Sequence, residues 1–350
     1  MTILGEGSLA AGGFWGLRTR DSLLVLVLAL SVAALGCSSG KKSATFGRPP
    51  STTPPDTIAP SPTPWSPPAF ANAAAPLDIP TYEGSGQAVH PDVIYFQDGW
   101  HGHKYWMAMT PYPFDTDTYE NPSIVVSDDG LSWSVPDGLT NPIVPRPNCD
   151  HNSDPDIVYN PRTNELYVYY TEQSRADRCP GRNTNSVRLV TSADGINWSA
   201  PQTVMSWNLD TDPLYLSPAV VYVGGVFHMW LASSVSSVVH GTSDDGLRWS
   251  PLDVTPVPWH LDVAYVDGEF VMLIVDSPVA GAHLVAATSK DGVKWSAGSD
   301  PILSPGNGWD DERIYRSTLL YDESIRLLRL WYSAKSSAGQ WHIGYTEAPH

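Results

Sequence analysis

The sequence predicts an all-β protein, a five-bladed β-propeller built from four-stranded antiparallel blades. Three observations lead there. An eight-residue turn of the form S-x-D-G-x-x-W-S occurs four times, as SDDGLSWS from Ser127, SADGINWS from Ser192, SDDGLRWS from Ser243 and SKDGVKWS from Ser289. Its tryptophans, Trp133, Trp198, Trp249 and Trp295, lie 65, 51 and 46 residues apart, and a period near fifty with β signals is that of propeller blades. No stretch sustains the helical period of about 3.6 residues.

The first segment is kept out of the fold. Arg18 and Arg20 precede the apolar run LLVLVLALSVAALG, which ends at ALGCSS with Cys37 after a small residue. The run is short for a membrane span and has the layout of an export signal. It resembles the lipobox of bacterial lipoproteins, departing from it at Ala34, where Leu is more usual. Residues 1–37 are therefore expected to be a lipoprotein signal peptide with lipid attachment at Cys37. Residues 38–80, rich in Pro, Ser and Thr, cannot bury a core and are expected to form an extended tether. The expected product is exported, held to the membrane by its lipid alone, and exposed to the cell exterior or wall.

The propeller is expected over 82–350. Each repeated turn follows a β-type run (SIVVS, VRLVTS, SVVHGTS, LVAATS). Upstream lies a second run (KYWMAM, ELYVYYT, VFHMWLA, EFVMLIV) and, before it, a third (HPDVIYF, DPDIVYN, SPAVVYV, HLDVAYV). Hairpin signals such as VGG and VDGE separate the last two sets. A fifth unit, STLLYDE, LRLWYSA and HIGYTEA, ends the chain without a turn. Its missing outer strand is expected from the segment before His90. In the turn itself, Asp bonds nearby backbone N–H groups, Gly takes positive φ and Trp packs between sheets. Four copies in four blades cannot converge on one site, so the repeat is read as scaffold.

Charge and cysteines bound the partners. A formal net charge of -17 repels phosphate backbones and argues against nucleic acid. With 14 tryptophans, the composition suits a neutral partner with hydroxyls and apolar faces, such as a polysaccharide or oligosaccharide. A monomer is expected. Beyond Cys37 only Cys149 and Cys179 remain. Export permits a disulfide between them, worth roughly 3–4 kcal/mol in the chain-entropy model; two free buried thiols are the alternative.

The five blades, the D-P dipeptide opening an inner strand and the S-x-D-G-x-x-W turns resemble the furanosidase-type glycoside hydrolases, family 43 and its relatives. The resemblance covers about residue 82 to 350 and implies a site at one mouth of the central channel, with carboxylates from the first three blades. The inner-strand column is then His90, Asp154, Ser217, His260 and Arg316. The column two residues on is Asp92, Asp156, Ala219, Asp262 and Thr318. Asp154 matches the family's second-blade Asp. His90 stands where the family has its basic Asp, and YLSP replaces the stretch that carries its acidic Glu.

Glycoside hydrolysis needs one carboxylic acid and one carboxylate. The candidates are Asp154 with Glu172 or Glu120, and Asp92. Asp210, Asp212, Asp310, Asp311 and Glu312 are further acids near the expected mouth. His90, Asp156, His260 and Arg316 are expected to bind substrate, and Trp207 and Trp309, with Trp259, to stack on a sugar. Trp100 lies in the opposite hairpin and is read as structural. The H-x-H pair at His101 is read as turn sequence, because a metal site needs more ligands. No metal site is assigned and no cofactor is required; a central calcium ion is allowed. The expected function is a surface-anchored glycoside hydrolase on a furanose-containing glycan of the arabinan, galactan or fructan type. A carbohydrate-binding propeller without catalysis is the alternative. A sialidase-like enzyme fits less well, since it needs six blades and an arginine cluster. The sugar, the stereochemistry and the split of acid and base roles stay open at this stage.

Overall fold

The computed structural model describes residues 67–350 except 234–236, 256–259, 278 and 299. The expected signal peptide, Cys37, most of the tether and Trp259 lie outside the described residues.

Five antiparallel sheets follow one another along the chain. The first holds β1 (Ala88–Trp100), β2 (His103–Pro111) and β3 (Ser123–Ser127). The second holds β4 (Asn152–Asn160), β5 (Glu165–Ser174), β6 (Thr184–Ser192) and β7 (Gln202–Asn208). The third holds β8 (Tyr215–Val223), β9 (Val226–Ser233), β10 (Ser237–Ser243) and β11 (Asp253–Thr255). The fourth holds β12 (Leu261–Val266), β13 (Glu269–Val275), β14 (Leu284–Ser289) and β15 (Ser296–Ala297). The fifth holds β16 (Arg313–Asp322), β17 (Leu327–Lys335) and β18 (Trp341–Pro349).

The first and fifth blades have three strands rather than the expected four. In the first, the fourth strand shrinks to the single bridge Val126↔Ser134. In the fifth, the chain before His90 does lie beside β18, but the tie is one backbone bond from Leu77 N to Ile343 O, 2.8 Å. The tether expected to reach residue 80 ends earlier. Phe70 and Ile79 are buried, and Phe70 N bonds to Ile302 O at 2.7 Å. These two apolar side chains, with hydrogen bonds at Asn72 and Ala73, seat this Pro-rich stretch on the propeller.

The core is divided among the blade interfaces. Five apolar clusters each join one blade to the next: Trp106 with Val168, Tyr169 with Met229, Trp230 with Met272, Leu273 with Leu330, and Trp331 with Met107. Strand alternation sends Ile157 to one interface and Val158 to the other.

The repeated turn locks these interfaces. In each copy the Asp carboxylate accepts the N–H groups two and three residues on; Asp129 Oδ1 takes those of Leu131 (2.8 Å) and Ser132 (2.7 Å). The Ser hydroxyl accepts the Gly N–H, 2.9 Å at Gly130. The four glycines have φ of 75–76°, and each faces an aromatic of the preceding blade's second strand. Gly130 meets Trp331, Gly195 meets Trp106, Gly246 meets Tyr169 and Gly292 meets Trp230. Three of these aromatics also donate to the glycine carbonyl: Trp331 Nε1 at 2.9 Å, Tyr169 Oη at 2.7 Å and Trp230 Nε1 at 2.8 Å. The scaffold reading of the repeat thus has a defined job, clasping blade to blade.

Candidate active site

The inner strands of the first three blades each begin with a bulge. The register breaks between Val89 and Asp92, Ser153 and Asp156, and Leu216 and Ala219. His90 (φ 55°), Asp154 (φ 50°) and Ser217 (φ 51°) take left-handed backbone there, and each precedes a proline that offers no N–H to the ladder. Bulges re-aim side chains. Here they bring His90, Asp154 and Ser217 together with His260, the residue just before β12.

Asp154 lies at the centre. Its Oδ1 is 3.1 Å from His90 Nε2 and 3.8 Å from His260 Nδ1, and its Oδ2 accepts the N–H of Ser217 at 3.3 Å. His90 Nδ1 contacts Thr110 Oγ1 at 3.0 Å and lies 3.7 Å from Glu120 Oε1. His260 bonds through Nδ1 to Ser217 Oγ and through Nε2 to Tyr315 Oη at 2.8 Å. Glu120 Oε2 is 3.9 Å from His151 Nε2, whose ring is held at Nδ1 by Asp150 Oδ1, 2.7 Å. Gln173 Nε2 approaches the same His151 Nε2 at 3.3 Å.

All of these groups but the half-buried Tyr315 are buried, and burial sorts their protonation. It pushes His90 down to about 3, against the pull of Asp154, and lowers His260 as well, so both imidazoles are neutral. Burial opposes the Asp154 carboxylate, but His90, His260 and Arg316 outweigh it and hold the group below its usual range. Glu120 is driven well above the usual carboxylate range, by burial first and then by Asp154 and Asp117. The site therefore sets a carboxyl held low, Asp154, beside one driven high, Glu120.

One strand step further along the channel lies a second layer. Asp92 Oδ2 accepts the N–H of Ile157 (2.6 Å), and its Oδ1 accepts the Thr318 hydroxyl (3.0 Å). Asp156 accepts the N–H of Val220 (3.0 Å) and Arg316 Nη2 (3.1 Å). Asp262 Oδ1 lies 3.7 Å from the same guanidinium. Burial raises all three carboxyls, and repulsion from Asp92 adds to it at Asp156 and at Asp262, which rises to about 7. This layer ties the blades together around the axis. Beyond it a cavity of ≈ 500 Å³ opens along the inner strands, lined by Asp92, Asp156, Asp262 and tyrosines such as Tyr159 and Tyr222.

The sequence-expected residues divide accordingly. Asp154, Glu120, His90 and His260 meet in the site. Asp92, expected to be catalytic, and Asp156 and Arg316, expected to bind substrate, sit in the tying layer. Glu172 is not brought in: strand alternation turns it away from Gln173, and it pairs with Arg188 at 3.4 Å. Trp207 packs tilted against Tyr215, ring centroids 4.5 Å apart. Trp309 bonds to Ala73 O at 3.0 Å and stacks on Tyr332, so it holds the leading segment instead of lining the site. Asp210, Asp310 and Asp311 are taken by Asn183, Tyr332 and Ser337, and Asp212 accepts the N–H of Asn208. The disulfide Cys149–Cys179 forms, with Cα atoms 5.5 Å apart.

Sequence reasoning missed His151, Asp150, Gln173 and Tyr315. His151 and Tyr315 each lie within three residues of a column position, the one available signal.

Among the described residues two groups have metal-ligand spacing, Asp117–Asp150–His151 and Asp92–Asp156–Asp262. Arginines already serve both, Arg175 and Arg178 in the first and Arg316 in the second. A third arrangement differs. His90 Nε2 and Asp154 Oδ1 face each other at 3.1 Å, fully buried, and neither has a hydrogen-bond partner. Two convergent, unsatisfied donors beside His260 fit a divalent cation.

No protein-family model matches the chain. It is 33% identical over 335 aligned positions to the A type blood N-acetyl-α-D-galactosamine deacetylase of Flavonifractor plautii, covering 76% of this chain. The chain spans 43% of that curated relative's length. The crystal structure of an N-acetylgalactosamine deacetylase from F. plautii, in complex with blood group B trisaccharide, aligns at 30% identity and a TM-score of 0.70, covering 80% of this chain and 95% of that one. A thermostable family-43 glycoside hydrolase and the α-L-arabinofuranosidase PaAbf62A of Podospora anserina align at 12% identity, each with a TM-score of 0.56. They cover 74% and 80% of this chain, and 88% and 97% of their own. Likeness at that identity shows the five-bladed fold alone. The furanosidase resemblance is thus one of architecture. At 30% identity across 95% of the solved chain, this protein belongs to the family of the F. plautii N-acetylgalactosamine deacetylase.

Proposed function

We propose that this protein is a carbohydrate N-deacetylase, exported and held at the cell surface through lipid on Cys37. It hydrolyses the acetamido group of an N-acetylhexosamine in a glycan. The carrying observation is that an imidazole and a hydroxyl stand where a glycosidase has two of its three carboxylates, amid a cluster of histidines. His90 stands at the first-blade position, Ser217 at the third, and His90, His151 and His260 gather around Asp154 and Glu120. Amide hydrolysis needs a base for water, charge stabilisation for the carbonyl oxygen and a proton for the leaving nitrogen. This set supplies each.

Water adds to the acetamide carbon while His151 Nε2 accepts its proton. The tetrahedral oxyanion is stabilised by the Tyr315 hydroxyl, which His260 orients at 2.8 Å. The C–N bond then breaks as Glu120, protonated in the resting site, gives its proton to the amine. Acetate and the free amino sugar leave. His151 returns its proton to Glu120 across the 3.9 Å that separates them. A divalent ion held by His90 Nε2 and Asp154 Oδ1 would supply Lewis-acid charge to the carbonyl. With imidazole in the donor set, a transition ion suits this place better than calcium, which prefers oxygen.

The test is acetate release from an N-acetylgalactosamine-terminated oligosaccharide, followed together with release of the sugar. Acetate without sugar supports the reading. Sugar without acetate, above all from arabinan or an aryl furanoside, would restore furanose-glycan hydrolysis in its place.

A further inference from the structure

The loop before β4 and the loop after β5 are joined by the Cys149–Cys179 disulfide, and each cysteine adjoins a charged residue of one ion pair. Asp150 follows Cys149, Arg178 precedes Cys179, and Arg178 Nη1 lies 3.2 Å from Asp150 Oδ1. Asp150 is buried and takes φ 61°. Its Oδ2 accepts the backbone N–H (2.9 Å) and Nε (2.9 Å) of Arg175, and its Oδ1 accepts Arg175 Nη2 (3.1 Å). A carboxylate so surrounded is an acceptor only, so the 2.7 Å contact to His151 requires the proton on His151 Nδ1. The lone pair is then on Nε2, facing Glu120 and Gln173. The remaining charged group near the ring, Asp117, is 3.8 Å from Nδ1 and is itself paired with Arg178.

We propose that Asp150, gripped by Arg175 and Arg178 and tied in place by the Cys149–Cys179 disulfide, is a positioning residue that fixes His151 with its proton on Nδ1 and its Nε2 lone pair toward substrate. Its catalytic consequence rests on the deacetylase reading; its geometry does not. The disulfide therefore does more than staple two loops. It couples the oxidised state of the chain to the tautomer of the base.

Two readouts on the full chain test this. Selective ¹⁵N-histidine NMR reports the tautomer, and steady-state acetate release reports kcat and KM. In Asp150→Asn, isosteric with the parent, kcat is expected to fall about 100-fold or more, with KM changed less than about threefold. His151 should gain the Nε2-protonated form. The double variant Cys149→Ser/Cys179→Ser is expected to lose roughly tenfold in kcat at similar KM, with the same mixing of tautomers. An Asp150→Asn protein that keeps His151 protonated on Nδ1 overturns the proposal, and so does one whose kcat stays within about threefold of the parent. If the parent releases no acetate, the deacetylase reading fails separately, and the tautomer comparison still decides the positioning role.

Discussion

The clasp between blades makes a sharp prediction at Gly195. This glycine has φ 75°, and a Cβ built on it would lie 2.2 Å and 2.3 Å from two ring atoms of Trp106. That ring cannot retreat easily. It is 1% exposed, edge-on to Trp100 at 5.1 Å, and bonded through Nε1 to Trp100 O at 3.3 Å. Gly195→Ala therefore carries two penalties: about 1–2 kcal/mol for left-handed backbone with a Cβ, and about 1–3 kcal/mol for overpacking a filled interface. The expected loss is about 2–5 kcal/mol in all. Gly181, at φ 80° with nothing within 4 Å of its built Cβ, is the control. Gly181→Ala should lose only the backbone part, about 1–2 kcal/mol. Urea unfolding of the two variants beside the parent measures the difference directly. If Gly195→Ala costs no more than Gly181→Ala, the inter-blade role of the turn is wrong.

Three further outcomes follow from the same structure. Tyr169→Phe, which removes only the hydroxyl donating to Gly246 O at 2.7 Å, should lower stability by about 1–3 kcal/mol through a buried carbonyl left unpaired; urea unfolding checks it. Glu120→Gln should abolish acetate release yet gain stability over the parent as pH rises. The folded parent keeps a proton that its unfolded chain loses above about 4.5, so the parent's stability is fully present below that pH and declines toward the raised folded value. Unfolding curves at acid, neutral and mildly alkaline pH should show the gap widening in favour of the variant; a constant gap would mean that Glu120 is ionised when folded. Asp154→Asn should cut kcat about 100-fold or more in the acetate assay while the far-UV spectrum is kept.

Much of the fold was legible because propeller blades repeat their chemistry. Local spacing carried the turn, the inner columns and the disulfide. The number of strands in the first and fifth blades was not legible, since a strand reduced to the bridge at Ser134 leaves no periodic signal. Half of the site was legible too: His90, Asp154 and His260 stand in register at the ends of inner strands. What failed was direction. Glu172 and Gln173 are neighbours, and only pairing register decides which one faces the channel. Asp92 and Asp156 share a column with no visible sign that backbone N–H groups of the next blade occupy them. His151 and its partner Asp150 lie in a loop whose course depends on contacts with Arg175 and Arg178, far along the chain.

Deacetylation is most directly tested by product analysis by NMR on one substrate, an oligosaccharide bearing terminal N-acetylgalactosamine, with parent protein and Asp154→Asn. The expected products are acetate and an intact glycan carrying a free amine, formed by the parent and not by the variant. Release of the terminal sugar with its acetyl group still attached would contradict it.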